Sequence, residues 1–419
     1  MPEVRLVTPS KPRRDSNLTA VLGRLSCVET CGRKEFIVTR RILDYIAERQ
    51  PETPCLVLDL NVVRDNFLAF RKSLPMTEVF YAVKANPDPA VLSLLSALGS
   101  SFDTASVAEI EMALEAGAGP DRISFGNTIK KERDIAKAYA RGIRLFAADS
   151  VEEVGKIARA APGSEVFCRI LTDGEGAEWP LSRKFGCVPS MAVHVLKHAR
   201  ALGLKPSGVS FHVGSQQTDL SAWDRAISDA KDVFVRSAEE GIELGLLNMG
   251  GGFPTRYLKD IPDARDYGDA IESSIRRHFG NKMPRVIIEP GRGMVGNAGV
   301  ICSEVVLVAK KACDDPVRWV YLDVGKFGGL AETMDEAIRY PVSTSRDGDD
   351  MAPCVLAGPT CDSADVLYER MPYPLPMSLS SGDKVLIGSA GAYTTTYASI
   401  AFNGFRPLDV HVLPASGNG

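Results

Sequence analysis

The chain contains the stretch EVFYAVKANP at residues 78–87, followed after Asp88 by PAVLSLLSALG at residues 89–99. The first segment is an apolar run of aromatic and β-branched residues, which is typical of a buried strand. The second carries apolar residues at helical spacing and ends in a glycine, as many helices do. Together the two segments predict a strand, a short turn and a helix.

This strand-and-helix unit recurs along the chain as far as Pro290. Helical patterns such as VAEIEMALEAG (107–117) separate the later strands. Strands that alternate with helices in this way predict an α/β fold, a TIM-like (β/α)8 barrel over residues 51–295. An open doubly wound sheet is the alternative, because a sequence does not reveal whether its sheet closes. The further strand-like runs are FDTAS (102–106), ISFGN (123–127), LFAAD (145–149), EVFCRI (165–170), GVSFHVG (208–214), LLNMGGG (246–252) and RVIIEP (285–290).

The character of the sequence changes after Pro290. Strand-like runs continue, but few helical patterns separate them, and this predicts an all-β domain. We assign the C-terminal β domain to residues 296–419 and expect residues 1–50 to pack on it as an N-terminal segment. The strand-like runs are VICSEVVLVAKKA (300–312), WVYLDVG (319–325), PCVLAG (353–358), DKVLIGSAG (383–391) and DVHVL (409–413).

Composition and charge argue against several classes of protein. The net charge is −4, with charges of both signs interspersed, so no basic surface for nucleic acid is predicted. No apolar run approaches the roughly 20 residues that cross a bilayer. The N-terminus also lacks the apolar core of a secretory signal. We expect a cytoplasmic protein that binds neither nucleic acid nor membrane.

The cysteines and histidines do not predict a metal site. The chain has nine cysteines, an odd number without a secretory signal, which indicates reduced thiols. Cys27 and Cys31 form a C-x3-C pair without a second pair of ligands nearby. His194 and His198 lie four residues apart on a predicted helix but lack the glutamate of an HExxH motif.

Polar or glycine residues end the predicted barrel strands. The strands of a parallel barrel all end on one face, and barrel enzymes build their active sites there. The pattern therefore predicts an active site at this face. The strand-end residues are Lys84, Asp103, Asn127, Asp149, Arg169, His212, Gly250, Gly251, Gly252 and Glu289.

Lys84 ends an apolar run, an unusual place for an ammonium group because burying a charge costs free energy. One interpretation is a lysine that extends to solvent or pairs with a carboxylate. The other is an amine whose pKa is lowered by burial, so that it becomes a nucleophile toward a carbonyl. The residue alone leaves both interpretations open.

Glycine clusters at Gly250–Gly252 and Gly291–Gly293 follow the last two predicted barrel strands. Barrels often bind phosphate at this position, because glycines expose backbone N–H groups, and Arg292 could add a charge-assisted contact. Glu289 beside a phosphate needs a cationic partner, and a protonated pyridine nitrogen is one. His212 either stacks on a cofactor ring or is a satisfied buried histidine.

The chain resembles the pyridoxal phosphate (PLP)-dependent ornithine, lysine, diaminopimelate and arginine decarboxylases of the alanine-racemase-like fold (fold type III). The resemblance covers residues 50–412 and is strongest to the bacterial ornithine and lysine/ornithine enzymes. It implies the barrel and β domain predicted above, with PLP as the cofactor. The motifs that carry it occur in the family's order: YAVKAN (81–86), FDTAS (102–106), FHVGS (211–215), GGGFP (250–254), EPGR (289–292), GPTCD (358–362) and GAYT (391–394).

The resemblance also implies roles for the cofactor residues. Lys84 holds PLP as a Schiff base, Glu289 pairs with its pyridine nitrogen, and His212 stacks on its ring. The implied phosphate ligands are Ser215, Gly252, Gly291, Arg292 and Tyr393, with Gly250 and Gly251 beside them. Asp103 and Arg169 are implied to line the cofactor, with support from Glu109.

A head-to-tail homodimer with two shared active sites is a further implication of the resemblance. Cys361 of the partner subunit would return a proton to Cα after CO2 leaves. Asp362 of the partner subunit would contact the substrate's distal amine. A thiol of unperturbed pKa near 8.5 keeps its proton at neutral pH, which suits an acid. The alternative for Cys361 is a small buried apolar residue.

The implied substrate is a basic amino acid. The motif GPTCD and the segment 323–341 resemble the ornithine and lysine branches, so we predict decarboxylation of L-ornithine to putrescine, L-lysine to cadaverine, or both. Glu332 and Asp335 are the alternatives for the acidic residue that holds the distal ammonium. Phe327 falls where eukaryotic members have a tyrosine. One methylene gives only about 1–3 kcal/mol of discrimination, so dual use is compatible with these residues.

Three alternatives to this function stay open. The first is an arginine, diaminopimelate or other PLP-dependent amino-acid decarboxylase. The second is an amino-acid racemase with a similar barrel. The third, from another class, is a catalytically inactive regulatory homologue.

Overall fold

The computed structural model describes residues 38–179 and 183–416. Its strands are β1 Cys55–Asp59, β2 Thr77–Ala82, β3 Ser101–Thr104, β4 Ile123–Phe125, β5 Leu145–Ala148, β6 Glu165–Arg169, β7 Ala177–Trp179, β8 Lys205–Ser210, β9 Ser215–Gln217, β10 Leu246–Asn248, β11 Arg285–Ile288, β12 Gly299–Ala309, β13 Arg318–Leu322, β14 Val342–Thr344, β15 Met351–Ala357, β16 Val366–Pro376, β17 Lys384–Ile387 and β18 Asp409–Leu413. Its α-helices are α1 Arg40–Arg49, α2 Leu60–Ser73, α3 Pro89–Ala97, α4 Val107–Glu115, α5 Glu132–Ala140, α6 Val151–Ala160, α7 Pro189–Ala201, α8 Ser221–Glu239, α9 Ala264–Phe279 and α10 Arg292–Val295.

Eight parallel strands close into a barrel in the order β2, β3, β4, β5, β6, β8, β10 and β11, and β11 pairs back with β2. The predicted barrel is confirmed, and the open-sheet alternative is excluded by the closure. Phe80, Phe167 and Ile287 belong to one buried apolar cluster. These side chains come from different strands of the ring, so they meet in the barrel interior. The polar strand ends therefore face one common opening.

A second, mainly antiparallel sheet forms the β domain, with the strand order β14, β17, β12, β13, β15, β16. β1 also belongs to this sheet, because it pairs antiparallel with β12 and parallel with β18. The predicted boundary at residue 51 had grouped this strand with the barrel. Its apolar residues Cys55–Leu58 are fully buried, which a strand achieves equally well in either domain.

β16 is a strand that the sequence analysis did not predict. It contains prolines at positions 372, 374 and 376, and proline cannot donate a backbone hydrogen bond to a neighbouring strand. β16 lies at the edge of the sheet, where β15 is the only strand of the described residues that pairs with it. Because the prolines occupy every second position, the backbone N–H groups that they lack would all lie on one side of the strand. That is the side facing away from β15, where no strand of the described residues needs a donor.

Helix α1 packs on the β domain. Ile42 and Ile46 lie in one buried cluster with Val57 and Val300 of the sheet. Thr39 caps the helix, since its hydroxyl accepts a hydrogen bond from the backbone N–H of Ile42. Cys27 and Cys31 lie outside the described residues. Within residues 38–179 and 183–416, no helix is long and apolar enough to span a bilayer.

Candidate active site

Lys84 lies in the 3₁₀ turn Val83–Ala85 that follows β2 at the barrel opening. Its side chain is accessible to solvent although protein groups surround it. Burial lowers the pKa of Lys84, but Tyr393, Asp103 and Glu289 outweigh burial, and the pKa lies above its usual value. Of the two interpretations, the lysine paired with carboxylates therefore fits the protein without a ligand, and the lowered pKa does not.

Asp103 is a buried carboxylate on the next strand, β3. Ser124 of β4 donates a hydrogen bond to its Oδ1 at 3.2 Å. Burial raises the pKa of Asp103 well above the usual range, Glu289 raises it further, and Lys84 acts against both. Glu109 is held close by, where its carboxylate accepts the backbone N–H of Ala105 at 2.6 Å. Asp103 and Glu289 thus place two carboxyl groups in electrostatic contact with one amine.

Glu289 is oriented by a residue that the sequence analysis placed in a motif without a role. Asn248, the last residue of β10, donates its side-chain N–H to Glu289 Oε1 at 2.5 Å. Its other amide atom accepts the backbone N–H of Gly250 at 2.9 Å. The backbone N–H of Glu289 also donates to Gly250 O at 2.7 Å. These bonds fix the Glu289 carboxylate at the barrel opening. In the sequence, the asparagine that precedes the glycine cluster was the signal that could have predicted this role.

His212 is a neutral imidazole. The backbone N–H of Gly214 donates to His212 Nδ1 at 3.0 Å, so any ring proton is on Nε2. Burial lowers the pKa of His212 well below its usual value, and the charges of Arg169 and Lys84 lower it further. A neutral ring that is half-exposed at the opening can stack on a flat apolar group.

The 250–252 loop approaches its neighbours as only glycines can. Gly250 and Gly252 have φ of +63° and +103°. A Cβ on Gly250 would lie 2.2 Å from Phe211 O, and one on Gly252 would lie 2.6 Å from Gly214 O. A Cβ on Gly251 would lie 3.4 Å from His212 Nε2. The loop backbone therefore forms a wall of the site immediately beside the imidazole.

Arg292 begins α10, and its side chain is buried. Its Nε and Nη2 lie 3.4 and 3.2 Å from Ser215 Oγ. Its guanidinium carbon lies 4.8 Å from the centre of the Tyr393 ring. A Cβ on Gly291 would lie 3.0 Å from Tyr393 Oη. The structure thus brings together the predicted phosphate ligands, including Ser215, Gly291, Arg292 and Tyr393.

Arg169 is the last residue of β6, and the loop that precedes α7 lies against its side chain. Its guanidinium lies 5.5 Å from the Phe185 ring. Burial lowers the pKa of Arg169, while the charges of Glu289, Asp103 and Asp149 raise it. Asp149 in turn accepts the backbone N–H of Gly186 at 2.8 Å, which holds this loop against the strand ends.

The two acidic residues predicted to hold the substrate's distal amine have other partners. Both oxygens of Glu332, which is buried, accept hydrogen bonds from Arg292, at 2.5 and 2.7 Å. Asp335 is exposed and pairs with Arg370 at 3.4 Å. Both residues lie in one 3₁₀ segment, Ala331–Glu336, but a kink at Met334 and Asp335 turns them to different environments. Glu332 is therefore occupied by a cation of this chain.

Cys361 and Asp362 lie on an exposed loop after β15. The Cys361 backbone N–H donates to Asn403 Oδ1 at 3.0 Å, which ties this loop to the 402–404 turn. Phe327 packs on Phe402 of the same turn, with ring centres 4.9 Å apart. The side chain of Cys361 faces solvent in the single chain, so this chain does not bury it in its own core.

The residues at the barrel opening fit PLP. An accessible lysine amine suits an aldehyde, and the Glu289 carboxylate suits a protonated ring nitrogen. The neutral His212 suits the ring face. The glycine loop, Ser215 and Arg292 suit a phosphate, since they combine exposed backbone with a buried cation.

Comparisons with known proteins agree with this geometry. Residues 60–296 match the sequence profile of the family described as pyridoxal-dependent decarboxylase, pyridoxal binding domain. A lysine/ornithine decarboxylase of Selenomonas ruminantium is 37% identical over 373 residues, which are 89% of this chain and 92% of the relative. Antizyme inhibitor 2 of Xenopus laevis is 33% identical over 385 residues, covering 88% of this chain and 83% of that protein.

A solved structure gives the same result. The lysine/ornithine decarboxylase of Vibrio vulnificus, in complex with cadaverine, superimposes with a TM-score of 0.81 and 31% identity. The match covers 90% of this chain and 100% of that chain. The predicted family, fold and cofactor are thereby confirmed. The protein belongs to the pyridoxal-dependent decarboxylase family of fold type III, and its cofactor is PLP.

Proposed function

We propose that this protein decarboxylates L-ornithine to putrescine, L-lysine to cadaverine, or both, as a PLP-dependent homodimer. The observation that carries the proposal is the barrel opening, where Lys84 is surrounded by Asp103, Glu289 and His212 beside a glycine and arginine pocket. The relatives named for lysine and ornithine decarboxylation support the substrate class.

Within this site Lys84 Nζ would attach the cofactor covalently. PLP supplies a conjugated, protonated ring that takes up the electrons left at Cα when CO2 departs. Glu289, fixed by Asn248, would accept a hydrogen bond from the ring N–H and so keep that nitrogen protonated. His212 would cover one ring face without adding a charge, because its pKa is lowered.

The phosphate ligands would be Ser215, Gly252, Gly291, Arg292 and Tyr393. Asp103 and Arg169 would line the same opening and balance its charge. The charges of Asp103 and Glu289 raise the pKa of Lys84 and that of Arg169 lowers it, so these neighbours would tune the reactivity of the amine. Glu109 would support them by fixing the start of α4 at Ala105.

The substrate end of the site would be completed by a second copy of the chain. Cys361 of the partner subunit would donate its thiol proton to Cα after CO2 leaves. Asp362 of the partner subunit would accept a hydrogen bond from the substrate's distal ammonium. The exposure of this loop, and of the nearby Ile400, supports an arrangement in which another surface covers them.

A substrate panel tests the proposal directly. We expect the purified protein, loaded with PLP, to release CO2 from ornithine or lysine with a kcat/KM well above those for arginine and diaminopimelate. Borohydride reduction should fix the cofactor to the peptide that contains Lys84. A protein that binds no PLP, or binds it without releasing CO2 from any of the four, would contradict the proposal. The first of these results would favour the inactive regulatory homologue.

A further inference from the structure

Arg292, a proposed phosphate ligand, forms a buried ion pair with Glu332, which has no role in the function proposed above. Glu332 contacts the guanidinium end-on with both oxygens, Oε1 to Nη2 at 2.5 Å and Oε2 to Nη1 at 2.7 Å. Tyr257 Oη accepts a further hydrogen bond from Nη1 at 2.6 Å. Both side chains of the ion pair are nearly inaccessible, at 2% and 3% of their full exposure. A bidentate pair of this kind fixes the plane of the guanidinium.

The pair leaves one edge of Arg292 for a ligand. Nη1 is occupied by Glu332 and Tyr257, and one N–H of Nη2 is occupied by Glu332. The remaining Nε and Nη2 donors face Ser215 Oγ at 3.4 and 3.2 Å, which are long contacts for hydrogen bonds. Ser215 is itself a proposed phosphate ligand. This edge of the arginine thus faces the hydroxyl of a second proposed phosphate ligand.

We propose that Glu332 is a positioning residue for the cofactor phosphate: it holds Arg292 so that its Nε and Nη2 edge faces the phosphate. The proposal rests on the proposed function in placing that phosphate at Arg292. It replaces the role first predicted for Glu332. Both oxygens of Glu332 are bonded to a buried guanidinium, so its charge is already balanced by a cation of this chain.

The two effects of Glu332 on a phosphate oppose each other. Its negative charge repels the phosphate dianion across the guanidinium. Its geometry holds the cation in the one orientation that gives two parallel hydrogen bonds to phosphate oxygens. We expect geometry to be the larger effect, because the charge of Glu332 is paired with Arg292 at contact distance, whereas the phosphate would meet the adjacent edge formed by Nε and Nη2.

Comparing PLP with pyridoxal, which lacks the phosphate, isolates this effect. The ratio of the pyridoxal Kd to the PLP Kd, measured by absorbance titration of the ligand-free protein, reports the phosphate contribution alone. We expect Glu332→Ala and Glu332→Asp to lower this ratio about tenfold or more, since each loses the end-on contact. Glu332→Gln should lower it less than Glu332→Ala, because its amide oxygen still accepts one of the two hydrogen bonds from Arg292, while its amide NH2 cannot accept the other. Pyridoxal affinity should stay within about twofold in all three variants.

The outcomes separate this inference from the proposed function. If no variant changes the ratio, or if only the melting temperature falls, Glu332 has a structural role and the inference fails. If Glu332→Ala and Glu332→Gln both raise the ratio, repulsion dominates and the inference also fails. If the unmodified protein binds neither aldehyde, the proposed function itself fails. Asp335→Asn, in the same segment but exposed, is the matched control and should leave the ratio unchanged.

Discussion

The cofactor end of this site and its proposed substrate end are built in different ways. At the cofactor end, Lys84, Glu289 and Arg292 lie at the ends of barrel strands, and Asn248 and Glu332 hold two of them by short hydrogen bonds. At the substrate end, Cys361 and Asp362 lie on an exposed loop of the β domain. One end is preorganised within a single chain. The other consists of side chains that still face solvent.

This difference indicates which parts of the site one chain supplies alone. Closing the barrel brings the strand ends together, so the cofactor residues meet as soon as the chain folds. The exposed loop has no such constraint, and we propose that it acts in the neighbouring subunit. Substitutions at the two ends should therefore differ both in size and in what they change.

The largest effect is expected at Lys84. Lys84→Ala should remove essentially all turnover, more than the roughly 10²–10⁴-fold cost of losing one acid or base, because the covalent attachment point is lost. The loss of the borohydride-stable PLP adduct, measured by mass spectrometry, should accompany it. Lys84→Arg is the matched control for charge and should be equally inactive. Near-normal turnover in either variant would remove the covalent role.

A smaller effect is expected at Cys361. Cys361→Ala should lower kcat by roughly 10²–10³-fold, or cause protonation at an atom other than Cα, while the PLP Kd stays unchanged. Product analysis after turnover in D2O measures both rate and proton placement. Cys313→Ala removes another exposed cysteine and should have no effect. If the two variants behave alike, Cys361 is not the acid.

The smallest effect is expected at Asp335. Its pair with Arg370 is exposed, and such pairs contribute at most about 1 kcal/mol. Asp335→Asn should change kcat/KM for ornithine and lysine by less than about twofold. A large rise in KM for both substrates would show that Asp335 contacts the distal amine after all, for example across a subunit boundary.

Much of the fold could be predicted from the sequence, because the signal was local. Each barrel strand, such as β2, is an apolar run followed by an amphipathic helix, and strand and helix repeat in one rhythm. β16 was missed because its prolines argue against a strand, and only its edge position permits them. β1 was grouped with the wrong sheet because a fully buried strand looks the same in both domains.

The cofactor residues were also predictable, but their electrostatics were not. Lys84 at a strand end indicated an unusual amine, yet the sign of its pKa shift depends on how closely Asp103 and Glu289 approach it. The pairing of Glu332 with Arg292 joins residues far apart in sequence, and no local pattern reveals it. Such contacts between the barrel and the β domain form only when the chain folds, so sequence patterns do not reveal them.

The central claim is that one chain supplies Lys84 and its partner supplies Cys361. Co-expressing Lys84→Ala and Cys361→Ala chains with different affinity tags, and purifying dimers that carry both tags, tests this directly. One of the two sites in such a dimer would contain an intact lysine and an intact cysteine. We predict about half the wild-type rate of CO2 release per dimer. Mixed dimers as inactive as the parent variants, or a failure to recover any mixed dimer, would contradict the shared site.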